Sequence, residues 1–98
     1  MDWYEMSNPA VMQLIGQRIK EIRLRKNMTQ QEIATRAGIS ALSVVNLEKG
    51  KYVSLSILIP ILRELRHLDK FDFLLPEPPV SPILLKKLQG KKRQRARK

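Results

Sequence analysis

The chain contains no cysteine. That excludes disulfides and thiolate metal sites, and it fits a reducing compartment. Histidine is nearly absent too. His67 stands alone, with no set of His, Asp and Glu at ligand spacing beside it. It reads as a surface or helix-end residue rather than a nucleophile's partner or a metal ligand. With only four glycines, no glycine-rich loop is present to cradle a nucleotide. The expectation is therefore no enzyme, no cofactor and no metal. No apolar run approaches the roughly 18–20 residues needed to span a bilayer; the longest, across Leu55 to Leu62, contains Pro60. The opening Met1-Asp2-Trp3-Tyr4-Glu5 is acidic and lacks the basic start of a signal peptide. These absences give the expectation of a cytoplasmic protein with no membrane partner.

What is abundant is positive charge, and it is unevenly placed. Eight of the 19 basic residues lie in residues 86–98, a stretch with no acid. The other 85 residues hold 11 basic and 9 acidic side chains, a net of +2. The chain thus reads as a nearly balanced domain carrying a concentrated basic tail, which suits a polyanion. A solubilising charge run is the plainer alternative. At 98 residues there is room for one small domain with a thin core.

The periodicity is helical throughout, with no strand pattern and no internal repeat. Asn8-Pro9 predicts a helix start, Asn8 capping and Pro9 filling a position that needs no N–H. Met12, Ile15, Ile19 and Ile22 then mark one face, Gln13, Gln17, Lys20 and Arg25 fall elsewhere, and Asn27 is a stop. Thr29-Gln30-Gln31-Glu32 is a capping box opening a second helix, with Ile33, Ala34 and Ala37 apolar and Gly38 at its end. Ser40 caps a third helix, Val44 and Leu47 facing inward and Gly50 closing it. Ser54 opens a fourth through Leu55, Leu58, Ile61, Leu62 and Leu65, in which Pro60 is expected to kink the helix or delay its start. Asp69 caps a short fifth holding Phe71, Leu74 and Leu75. Pro76-Glu77-Pro78-Pro79 is a stiff break, Ser81-Pro82 is expected to begin a short helix over 82–89, and residues 91–98 have no packing content and are expected to be disordered when unbound. The division is an arm (1–8), a domain (9–75) and a Pro-rich link, short helix and basic tail (76–98).

Two short helices joined at Gly38-Ile39-Ser40 carry the function. Ala34 allows close helix approach, Gly38 a backbone conformation closed to other residues, and Ile39 plugs the inside of the turn. Thr29-Gln30-x-Glu32-Ile33-Ala34, Ala37-Gly38-Ile39-Ser40 and Leu47-Glu48-x-Gly50 together resemble the Cro and phage-repressor type of helix-turn-helix, often called the xenobiotic-response-element family. The resemblance spans residues 15 to about 75. It implies an all-α, compact five-helix bundle of the lambda-repressor-like kind. It also implies a bacterial transcriptional regulator, a repressor, that pairs as a homodimer on a palindromic double-stranded operator and is nucleoid-associated when bound.

Carried over by position, the resemblance makes Gln30 a phosphate contact that braces the third helix. It places Ser40, Ala41, Leu42 and Asn46 toward base edges. Ser43, Lys49 and Lys51 fall at backbone-contacting positions. Arg23 and Glu48 match a partly buried ion pair, and Gly38, Ile39 and Leu47 are structural. Many relatives carry Gln where this chain has Ala41 and Leu42. Those two side chains cannot donate to adenine but can touch a thymine methyl, so shape readout is expected to contribute. An equally open reading of Leu42 and Val45 is partner contact or plain exposure.

Lys91, Lys92, Arg93 and Arg95 are the candidate accessory phosphate contacts. Trp3, Tyr4 and Met6, or the apolar end at Phe71, Phe73, Leu74 and Leu75, are candidate dimer surfaces; the arm could instead pack on its own domain. The Pro-rich link and basic end also resemble HipB-like antitoxins, which implies a HipA-type kinase toxin as partner and repression of a toxin–antitoxin operon. The alternatives are a protein-interaction module and a tail-driven nucleic-acid binder, including RNA. Truncation at Gly90 tests the tail. The expected outcome is weaker binding to every duplex and a shallower salt slope with site preference unchanged, measured by fluorescence anisotropy across a salt series.

Overall fold

The computed structural model describes residues 1–79, and every regular element among them is helical. Trp3–Glu5 make one 3-10 turn. Helix α1 spans Asn8–Arg25, α2 Gln30–Ala37, α3 Ala41–Glu48 and α4 Leu55–Glu64. A second 3-10 turn, Leu68–Lys70, leads into the short α5, Phe71–Leu74. The expected all-α, five-helix architecture is the observed one. The helix expected over 82–89 lies outside the described residues.

Local signals explain most helix ends. Ser7, one residue before the expected Asn8, is the cap of α1: its Oγ accepts from the Ala10 N–H at 3.2 Å. Pro9 in the first turn has no N–H to offer, so the cap bond goes to the next donor. Asn27 adopts φ 55° just beyond α1, the left-handed conformation Asn tolerates. The capping box is complete. Thr29 Oγ1 accepts from the Glu32 N–H, and Glu32 Oε1 accepts from the Thr29 N–H, both at 3.0 Å.

Three expectations at the C-terminal side are corrected: a start of α4 delayed by Pro60, a cap by Ser54 and a cap by Asp69. Helix α4 begins at Leu55 without delay and runs through Pro60, because at that position proline forfeits only the bond to the carbonyl of exposed Ser56. The Ser54 hydroxyl bonds to the Ser56 hydroxyl instead of capping. Asp69 lies inside the 3-10 turn and caps nothing, and α5 starts without a side-chain cap.

The core is Ile19, Met28, Ile33, Ala34, Val44, Leu47, Ile61 and Leu65, with Ile22, Ile39, Ala41, Val53, Ile57, Leu58 and Leu62 packed around it. Ile15 and Leu55, expected inside, are exposed. Leu55 lies about 120° round the helix from Ile61, off the buried face. On α1 the buried face is rotated toward Gly16, leaving Ile15 at its edge. Gly16 is where α1 crosses α3: a Cβ there would meet the backbone carbonyl oxygens of Leu47 and Glu48. Only glycine permits that approach.

The close crossing is locked by a buried ion pair. Arg23 Nε donates to Glu48 Oε2 at 2.7 Å and Nη2 to Oε1 at 3.0 Å, while Nη1 donates to the Met28 carbonyl at 2.8 Å. The two side chains are 7% and 3% exposed. The geometry is bidentate, the kind that best offsets the cost of burying charge.

Arg23→Ala or Glu48→Ala is expected to cost about 3–5 kcal/mol by stranding the partner's charge. The combined Arg23→Met, Glu48→Leu variant should cost less than the two single losses together; urea unfolding of all three measures this. The Glu32 carboxyl is held below the usual carboxylate range by the Thr29 N–H first, then the Thr29 hydroxyl, with Arg36 adding attraction. Its stabilising contribution is therefore present above the ordinary carboxylate pKa and lost as pH falls through the lowered one. Melting temperature against pH should accordingly show a smaller acid-side fall in Glu32→Gln than in the parent chain.

Candidate nucleic-acid interface

The α2–turn–α3 unit is built on small residues. Ala34 is fully buried. Gly38 has φ 72° and ψ 32°, left-handed values that a side chain disfavours. Beyond it the Ile39 N–H bonds back to the Ala34 carbonyl at 3.0 Å, and the Ile39 side chain packs against the core. The chain thereby reverses in three residues. Ser40 then caps α3, its Oγ accepting from the Ser43 N–H at 3.1 Å.

Val44 and Leu47 point α3's inner face into the core. Its outer face is formed by Leu42, Asn46 and Lys49, which fall one turn apart, with Val45 and Ser43 beside them. Leu42 is 66% exposed and Lys49 is exposed, whereas Ser43, Val45 and Asn46 are half-buried. Ala41 is turned partly inward and packs on the core, so it offers little of itself. The Ser40 and Ser43 hydroxyls lie 2.8 Å apart and bond each other. Exposed Lys51 follows α3, its N–H held by the Asn46 carbonyl at 2.9 Å.

Gln30 does brace α3. Its Nε2 donates to Glu48 Oε1 at 3.0 Å, so α1, α2 and α3 converge on one carboxylate. Lys91, Lys92, Arg93 and Arg95 lie outside the described residues. His67 lies between α4 and the second 3-10 turn, with Nδ1 2.8 Å from the Leu65 carbonyl oxygen, and among the described residues no group of His, Cys, Asp and Glu is placed to hold a metal.

The charge distribution is the feature least visible from composition. From Ile33 to Arg63 the sequence contains a single acid, Glu48, and its side chain is consumed by Arg23. The exposed charges of α2's second half, of α3 and of the following loop are therefore all positive: Arg36, Lys49 and Lys51. Tyr52, 87% exposed beside Lys51, was not among the residues singled out from the sequence; a lone aromatic in a loop after glycine was the available signal. The arm is placed on its own domain, with Arg18 over the Trp3 ring at 5.2 Å from its centroid, while Tyr4 is 99% exposed.

Comparison with known proteins agrees with this geometry. Two proteins of Archaeoglobus fulgidus, each named an uncharacterized HTH-type transcriptional regulator, are similar over 35 residues. One is 57% identical, covering 36% of this chain and 49% of its own length. The other is 49% identical, covering 36% of this chain and 50% of its own length. The chain spans about half the length of these curated relatives. The profile of the helix-turn-helix family matches residues 19–71, more than half of the chain, from the second half of α1 to the start of α5. The chain belongs to the helix-turn-helix family.

Proposed function

We propose that the protein is a sequence-specific double-stranded DNA-binding regulator of transcription, acting as a repressor and as a homodimer on a two-fold symmetric operator. The observation that carries this reading is the burial of Glu48, which leaves α3 and its flanks with positive exposed charge only. A duplex attracts such a surface through its phosphates, and an α-helix fits the major groove. The relatives' printed description as transcriptional regulators supports it.

Pairing supplies what one domain lacks. Among the side chains of α3's outer face Asn46 is the one amide, and few base contacts come from a single copy. A symmetric dimer would place two half-sites about one helical turn apart. The exposed apolar end at Phe73, Leu74 and Leu75 is the dimer surface we favour. A narrower form of the proposal makes the chain an antitoxin that holds a HipA-type kinase toxin. Recovery of a kinase with the tagged chain from its native host supports that form, and repeated recovery of the chain without one removes it.

The second reading is a protein-interaction module, favoured by the apolar Leu42 and Val45 on the outer face. Selection from random duplex DNA at near-physiological salt separates the two. A palindromic motif is expected, and Asn46→Ala should then lose about 1–3 kcal/mol of discrimination at one position per half-site. Recovery of unselected DNA, or an Asn46→Ala variant with unchanged preference, would favour the interaction module or the tail-driven binder.

A further inference from the structure

We infer that each operator half-site is read as an A·T-containing step, in which a thymine 5-methyl group lies against Leu42 and an adenine edge faces Asn46. The inference rests on the DNA-binding reading above and specifies what that surface recognises.

The reasoning proceeds by accounting for each side chain on α3. Ser40 is committed twice, as acceptor of the Ser43 N–H and as partner of the Ser43 hydroxyl. Ser43 is committed through the same hydroxyl pair. Ala41 packs against the core. Lys49, at the C-terminal end of α3, carries a charge suited to phosphate rather than to a base pattern. What remains is Leu42, Val45 and Asn46.

Leu42 is the most solvent-exposed apolar side chain of this helix, at 66%. It is not part of the core, so nothing in the fold requires a large apolar residue there. Of the groups in the major groove, the thymine 5-methyl is the apolar one. A leucine cannot satisfy the donors and acceptors of guanine or cytosine, and burying it against them would leave those groups unpaired. The positive charges of Lys49 and Lys51 on the flanks, with no exposed acid between Ile33 and Arg63, fit the phosphates that border such a groove.

Asn46 lies one turn after Leu42, on the same face and about 5–6 Å away by helix geometry. That spacing addresses neighbouring base pairs, which rise about 3.4 Å each along one strand. Asn46 makes no side-chain hydrogen bond among the described residues, unlike the two serines, so its amide is available for the N6 and N7 pattern of adenine. The two side chains therefore ask for the two halves of an A·T pair or of adjacent A·T pairs.

The test uses the full chain and the duplex recovered by selection. Each thymidine of a half-site is replaced in turn by deoxyuridine, which removes only the 5-methyl group, and affinity is measured by fluorescence anisotropy at fixed salt. One position should weaken binding about fourfold, the effect of one buried methyl. Leu42→Ala should bind the parent duplex more weakly and lose most of the difference between thymine and uracil at that position. Its melting temperature should match the parent's, since Leu42 is exposed. A selected motif in which every uracil duplex binds as well as its parent overturns the inference while leaving the regulator reading intact. So does a Leu42→Ala variant that keeps the full methyl effect. Selection that returns no motif overturns both.

Discussion

The Arg23–Glu48 pair is the constraint on which the rest of the structure depends. A carboxylate with 3% of its side chain exposed is costly unless its oxygens are bonded. Here both oxygens are held by Arg23, and one also by Gln30. The remaining guanidinium contact goes to the Met28 carbonyl, at the chain segment between α1 and α2. Three helices and one connection thus meet at a single charge pair. The two Arg23–Glu48 bonds cannot form unless α1 lies against the end of α3, and Gly16 is the residue that lets it do so.

That inner arrangement determines the outer surface. The C-terminal end of α3 is anchored by Glu48 and its N-terminal end by the Gly38 turn and the Ser40 cap. A helix of eight residues has little stability of its own, so its orientation comes from these two anchors and from Val44 and Leu47 between them. The same ion pair also removes the one acid of the region from the surface. Fixing the helix and setting its charge are consequently one structural event, and both favour an anionic partner.

Much of this was legible in the sequence because it is local. The Thr29–Glu32 capping box, the stops at Asn27 and Gly38, the Ser40 cap and the inward pair Val44 and Leu47 each involve neighbours within one helical turn. The ion pair was legible only through resemblance, since its members stand 25 residues apart. What was missed depends on a second element. Gly16 looks like an ordinary weak point in an amphipathic helix until α3 is laid across it. Ile15 and Leu55 satisfy apolar spacing, but which edge of a helix is covered depends on its neighbour. Asp69 has the right residue type for a cap, yet the chain was already turning in 3-10 geometry at Leu68. The Ser40–Ser43 hydroxyl pair narrowed the site further, because a residue legible as a base reader and one legible as a backbone contact bond to each other.

The central claim is that α3, held by this clamp, is the surface that meets duplex DNA. Amide chemical shifts of the isotope-labelled full chain, followed during titration with duplex DNA, test it most directly. The account predicts the largest changes at Gln30 and across residues 40–52. Changes confined to the chain after Pro79, with the α3 amides unmoved, would contradict it.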